Sequence, residues 1–425
     1  MQYKKGGEHK KIILIAGLIL NIGVLFLFKY FDFFSQNIHL VTGINLPLVN
    51  LIMPLGISFY TFQQISYLID SYRNELDNYN ILDYFQYVTF FPCIIQGPIS
   101  YHDEMIPQFR DNLKKQFNPD NFAKGIWLFT IGLSKKVLIA DTFGLLVNQG
   151  FTEIEALGSI NAILVMLAYT FQIYFDFSGY CTMAEGLAQM LNFEIPNNFK
   201  YPYKALTIVD FWKRWHRTLT RFFTKYIYIP LGGNRKGELR TYLNILIVFL
   251  ISGLWHGAAW TFVVWGLLHG IAQIFTKYVD NKRRVFSYVE ARTKKFIMWL
   301  LTFLFINLTW VMFRSVDIHQ AMEFYKQLLD VSNLVIDREL LEVMRIDTFE
   351  LICNFIPVVG EYIMKYIYVI LSIISFIIIR CEEHWDEKLG IEIEYGTKKA
   401  IFTVVLLFLS IISLSGVSSF LYWEF

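Results

Sequence analysis

Apolar runs recur along this chain at residues 12–28, 46–69, 81–99, 126–140, 160–177, 242–275, 296–313, 362–379 and 400–417, and their repetition constrains the fold more than any other feature. A bilayer-crossing helix needs about 20 predominantly apolar residues. Runs spaced over the whole length therefore predict a polytopic, all-α transmembrane bundle, with residues 1–425 forming one membrane domain. Only 17% of the residues are charged, against about a quarter in soluble domains. The lipid bilayer is thus the expected solvent.

Several runs are interrupted. Pro47, Pro54 and Gly56 break the second, and Pro92, Gly97 and Pro98 break the third. Backbone groups freed at membrane depth must be satisfied inside protein or beside a water-lined cavity, which points to a packed, funnelled interior. The run 242–275 is too long for one perpendicular crossing. It is either strongly tilted or two helices broken near Gly253 or Gly257. Lys4, Lys5, Lys10 and Lys11 precede the first run, which lacks a small-residue cleavage site and is expected to be a retained span. Between residues 281 and 295, six basic residues face Glu290 alone, a net of +5 that predicts a cytoplasmic loop. The mixed 315–361 connection and the C-terminus are then external, and the 380–399 connection cytoplasmic. Cys93, Cys181, Cys353 and Cys381 occur singly and read as reduced packing residues, so no metal site is expected.

Residues 210–240 are the most basic stretch. Lys213, Arg214, Arg217, Arg221, Lys225, Arg235, Lys236 and Arg240 face only Asp210 and Glu238, a net of +6. Lys213, Arg217, Arg221 and Lys225 follow i, i+4 spacing, with Trp212, Trp215, Phe222, Phe223 and Tyr226 on the other sides. The pattern predicts a helix lying in the membrane interface. Two roles fit: anchoring to anionic lipid, or receiving the phosphates of an acyl donor such as coenzyme A. The following Tyr228-Ile229-Pro230-Leu231-Gly232-Gly233-Asn234-Arg235 reads as a tight turn able to approach a ligand.

Two histidines stand out. His256 lies within Ser252-Gly253-Leu254-Trp255-His256-Gly257-Ala258-Ala259-Trp260, and an ionisable group at that depth is a functional candidate by default. The small neighbours equally suit close helix packing around a hydrogen-bonded histidine. His216, among cations, is expected to be neutral and able to accept a proton, or to be structural. His269 would lie roughly 20 Å from His256 on a continuous helix and reads as structural, as do His9, His39, His319 and His384. His102 follows a broken run end and can line a cavity. Asp176 can orient a histidine or support backbone. No serine-hydrolase, P-loop or zinc-protease motif occurs. What remains is a lone histidine able to act as general base on a hydroxyl attacking a thioester, with the two substrates meeting from opposite faces. Broken spans and buried ionisable groups also mark transport paths, so a transporter of lipid-linked sugars is the rival reading.

The blocks Phe211 to His216, Tyr228 to Gly233 and Ser252 to Thr261, with Pro54 to Gln63, Tyr67 to Asp70, Gln96 to Ile99 and Tyr174 to Tyr180, resemble the membrane-bound O-acyltransferase family. The resemblance is greatest to the branch of alginate and peptidoglycan O-acetyltransferase membrane subunits. It implies re-entrant or interfacial helices around a central tunnel, His256 as catalytic histidine and His216 as its partner. It implies donor or substrate contacts from Lys213, Arg214, Arg217, Arg221, Asn234, Arg235 and Trp255, supported by Asp176, Trp212 and Trp215. No resident cofactor is implied. Acetyl-CoA is the expected donor and an exported polysaccharide the acceptor, with an extracytoplasmic SGNH-type acetyltransferase as partner, no nucleic acid, and a bacterial inner-membrane location. The N-terminal spans of the family look missing or shortened here. The teichoic-acid D-alanylation branch shares the histidine blocks and stays the alternative.

Overall fold

The computed structural model describes residues 2–282, 291–344, 366–389, 396–414 and 421. Arg283, Arg284 and Glu290 of the basic loop, Cys353, the 345–361 part of the mixed connection, and the edges 362–365 and 415–417 of two apolar runs lie outside them, as do the side chains of Cys381 and His384.

Among the described residues every regular element is helical. Helix α1 (Gln2–Leu25) passes through a π-helical turn (Phe26–Tyr30) into α2 (Phe31–Thr42). The prolines shorten the second run as expected: residues 43–54 are not helical, and α3 (Ile57–Tyr72) starts only after Gly56, which takes a left-handed conformation at φ 73°. The third run yields short α4 (Ile81–Val88) and α5 (Phe91–Ile94), followed by α6 (His102–Arg110). Neither 46–69 nor 81–99 is therefore one crossing helix. Next come α7 (Pro119–Ser134), a π turn (Lys135–Ala140), α8 (Asp141–Thr152) and the long α9 (Gly158–Met190).

Helix α9 is the axis of the core. It packs closely on α7 because glycines face each other: a Cβ on Gly132 would meet the Gly179 carbonyl oxygen at 2.5 Å, and one on Gly179 would meet that of Gly132 at 2.8 Å. Such small-residue contacts let membrane helices approach where no hydrophobic force drives them together. After α10 (Ile208–Trp212) and α11 (Arg217–Phe223) come α12 (Glu238–His256) and α13 (Trp260–Lys282), then α14 (Ala291–Arg314), α15 (Ile318–Leu329), α16 (Arg338–Glu342), α17 (Ile367–Leu389) and α18 (Thr397–Ile412).

The 242–275 ambiguity resolves into two helices. Helices α12 and α13 form a tight antiparallel hairpin, in which a Cβ on Gly253 would lie 3.3 Å from Gly266 Cα and the reverse holds at 3.3 Å. Among the described residues five helices are long and apolar enough to cross a bilayer: His9–Thr42, Gly158–Met190, Glu238–His256, Trp260–Val279 and Arg292–Arg314. The chain is a multi-pass membrane protein.

Candidate functional site

Helix α12 ends at His256 because Gly257 takes extended backbone (φ −165°, ψ 152°) and the chain reverses into Trp260. A Cβ at Gly257 would collide with the Phe262 ring, so only glycine fits this turn. His256 is thereby held at the hairpin tip, buried at 3% exposure. Its ring lies 4.8 Å from Trp255, 5.2 Å from Trp265 and 5.2 Å from Phe313, between ring centroids. Lys29, on the π turn after α1, donates from Nζ to the carbonyl oxygens of Trp255 at 2.6 Å and of His256 at 3.2 Å. A small cavity opens here, its wall including Lys29, Pro54, Gly56, Gln96, Trp255 and His256.

His216 also packs against Trp255, its ring 6.0 Å from that indole. The expected single interfacial helix does not form. The chain breaks between α10 and α11, where His216 adopts a left-handed conformation (φ 44°, ψ 52°) and is fully buried. Its surroundings are apolar on one side, with Phe177 at 4.8 Å. Burial pushes its imidazole down to about 3, so the ring is neutral, though by desolvation rather than by neighbouring cations.

Asn198 sets which nitrogen carries the hydrogen. Its Oδ1 accepts from Thr218 N at 3.3 Å and Thr218 Oγ1 at 2.9 Å, while Nδ2 donates to Cys181 Sγ at 3.4 Å. A backbone N–H can only donate, which fixes the amide orientation. His216 Nδ1, 3.1 Å from the same oxygen, must then be the protonated nitrogen. Nε2 carries the lone pair. This is the arrangement a proton acceptor needs.

The aromatic residues predicted to face lipid are instead core. Trp212, Trp215, Phe222 and Phe223 are 4%, 1%, 2% and 4% exposed. Trp212 Nε1 donates to His269 Nδ1 at 3.2 Å, and Trp215 stacks on Phe211 at 5.6 Å. The helix break also removes Lys213 from the i, i+4 stripe, yet Lys213, Arg217, Arg221 and Lys225 still line one groove of about 920 Å³. They differ in what holds them. Arg221 pairs with Glu104 and donates to the Ile99 carbonyl at 3.1 Å, and Arg214 pairs with Asp210 at 2.8 Å. Lys225 reaches Asp70 at 2.9 Å. Lys213 and Arg217 are exposed on the groove wall. A neighbouring groove of about 1250 Å³ shares Trp212 and Lys213 and extends to Ser252, one turn before His256. Asn234 and Arg235 stand exposed on the turn beyond, lining neither groove.

Asp176 is not placed against either histidine by its recorded bonds. It is 1% exposed, pairs with Lys136 Nζ at 2.7 Å, and accepts from Leu421 N at 3.2 Å. Lys136 also pairs with Asp141 at 2.7 Å. The break between α12 and α13 overturns the expected remoteness of His269 from His256: both rings pack on Trp265, at 4.7 and 5.2 Å, while His269 Nδ1 accepts from Trp212 and Nε2 lies 3.1 Å from Thr309 Oγ1. His102 bonds Asp70 at 3.2 Å, and Tyr226 donates to the same carboxylate at 2.7 Å. Cys93 and Cys181 are buried free thiols. Sequence reasoning missed Lys29, Asn198 and Asp70. The only local signals were a lysine inside an apolar run and an aspartate at the end of another.

Comparison with known proteins follows the same residues. The model of "MBOAT, membrane-bound O-acyltransferase family" matches residues 13–315. A peptidoglycan O-acetyltransferase of Helicobacter pylori is 44% identical over 351 residues, covering 77% of this chain and 66% of that protein. The probable alginate O-acetylase AlgI of Pseudomonas aeruginosa is 37% identical over 318 residues, or 74% of this chain and 59% of that protein. A teichoic acid D-alanyltransferase of Bacillus subtilis is 26% identical over 324 residues, 72% of this chain and 79% of its own length. The chain thus spans just under two thirds of the first two relatives' length.

Proposed function

Because this chain belongs to the membrane-bound O-acyltransferase family, we propose that it transfers acetyl from cytosolic acetyl-CoA toward a hydroxyl of an exported cell-surface polysaccharide such as peptidoglycan or alginate. In this reading residues 1–425 act as one membrane domain of a bacterial inner membrane, with a passage running to His256 from both faces. An extracytoplasmic SGNH-type acetyltransferase is the proposed acceptor-side partner. The observation that carries the reading is the placement of His256: a buried imidazole at a hairpin tip, in the wall of a cavity, sharing the Trp255 indole as a neighbour with a neutral His216.

His256 takes the hydroxyl proton as the acceptor oxygen attacks the thioester carbonyl carbon. The C–O bond forms, the C–S bond breaks, and the imidazolium returns its proton to the leaving thiolate. His216, with hydrogen on Nδ1 and its lone pair on Nε2, orients a substrate or relays that proton. Lys213 and Arg217 on the groove wall are suited to the donor phosphates, since both are exposed and cationic. Arg221 contributes by shaping the groove, Arg214 by its pairing with Asp210, and Trp255 by packing against both histidines.

The test is transfer by the reconstituted protein supplied with radiolabelled acetyl-CoA, read as free thiol released or acceptor labelled. His256→Ala is expected to lower the rate by about 10²–10⁴-fold with the protein still expressed and folded. Unchanged transfer in that variant refutes the mechanism. Label passed from an aminoacylated carrier protein, with none from acetyl-CoA, replaces it with the D-alanyl reading.

A further inference from the structure

We propose that Lys29 is a positioning residue for His256: it clamps the end of α12 beside the cavity. The inference rests on the acyl-transfer reading for its kinetic consequence, but not for its geometry. Lys29 lies inside the apolar helix His9–Thr42, where an ionisable side chain is costly and is a functional candidate by default. Its ammonium reaches across 226 residues of sequence to the Trp255 carbonyl and across 227 to that of His256. These are carbonyls that the end of α12 leaves without intrahelical donors.

Position on a π turn matters, because the wider turn displaces the helix face that Lys29 presents relative to an uninterrupted α-helix. Nζ sits at the C-terminal end of α12, 5.9 Å from the Trp255 ring centroid. In the cavity wall, Lys29 and His256 are the only ionisable side chains among the described residues. The imidazole must be held within reach of the reacting hydroxyl, so a clamp on the backbone that carries it acts on kcat.

Lys29→Met and Lys29→Arg are compared with wild type after purification and reconstitution, using kcat and KM for acetyl-CoA. A second readout is the rate at which diethyl pyrocarbonate modifies His256, measured by peptide mass spectrometry against exposed His39 in the same sample. Lys29→Met should lower kcat by about 100-fold, the cost of a misplaced catalytic group, with KM unchanged. Lys29→Arg, which keeps charge and donors, should restore most of kcat. His256 modification should change in the Met variant and return in the Arg variant. Wild-type kcat in Lys29→Met, a loss confined to KM, or equal impairment in both variants overturns the proposal. If the wild type uses no acetyl-CoA, the acyl-transfer reading fails. The modification rates still decide Lys29: a rate unchanged from wild type to Met overturns the clamp.

Discussion

Asn198→Leu isolates the contribution of one side chain to the His216 turn. Leucine has the same number and branching of side-chain heavy atoms as asparagine, so the change removes hydrogen bonding without opening a cavity for water. In the native protein Asn198 Oδ1 accepts from His216 Nδ1, Thr218 N and Thr218 Oγ1. The Thr218 hydroxyl can rotate, and it also accepts from Ile99 N at 3.0 Å. The ring N–H and the backbone N–H cannot rotate away, so two buried donors are orphaned. At about 1–3 kcal/mol each, the loss is roughly 4 kcal/mol. Unfolding entropy near 2.1 cal/mol/K per residue gives about 0.9 kcal/mol per kelvin for a chain this long, hence a Tm lower by about 4 °C. Tryptophan fluorescence of the detergent-solubilised protein during heating measures it. Asn198→Asp, which keeps the acceptor oxygens, should lose less. A shift under about 1 °C for Asn198→Leu, on the same conversion, would show that Asn198 does not hold the turn.

Two further perturbations probe the same region. Gly266→Ala should slow transfer by about 100-fold even though alanine is the better helix former, because its Cβ would press on Gly253 Cα and the Phe249 carbonyl and move the hairpin that carries His256; steady-state kinetics checks it, and full activity refutes close packing of the legs. Acidification should destabilise the protein through His216. Its folded value of about 3 lies below the ordinary 6.5, so the unfolded chain binds the proton first. Stability is then full above pH 6.5 and falls by up to about 1.4 kcal/mol per pH unit between 6.5 and 3. The measurement is Tm against pH, with His216→Gln expected to flatten that part of the curve.

The sequence made the helical class and the buried His256 readable and narrowed the 242–275 run to a tilted helix or a break near Gly253 or Gly257, because hydropathy runs and glycine placement act locally. It misled at residues 210–228. The i, i+4 spacing of Lys213 and Arg217 suits a continuous helix, and nothing in Arg214-Trp215-His216 announces the left-handed backbone that ends it. Tertiary contacts decide that break, through the Asn198 carbonyl accepting from Arg217 N at 2.9 Å. The aromatic residues around it looked lipid-facing because burial in protein and burial in lipid select the same side chains. Asn198 itself is one polar residue in a polar connection, so only its partners at positions 181, 216 and 218 reveal it. Lys29 was passed over because a lysine near the end of an apolar run usually marks the water boundary. Here the helix continues to Thr42.

The hairpin has a consequence for biosynthesis. Its legs have mean hydropathies of only 1.3 and 1.2, against 2.5 for the first span. Each alone is a weak candidate for partition from the insertion machinery into lipid. Joined by the three residues Gly257-Ala258-Ala259, they can enter together, with polar groups such as His269 and Asn244 turned into the fold instead of toward lipid. A longer linker between the legs would uncouple their entry, and the yield of inserted protein would fall before any catalytic step was touched.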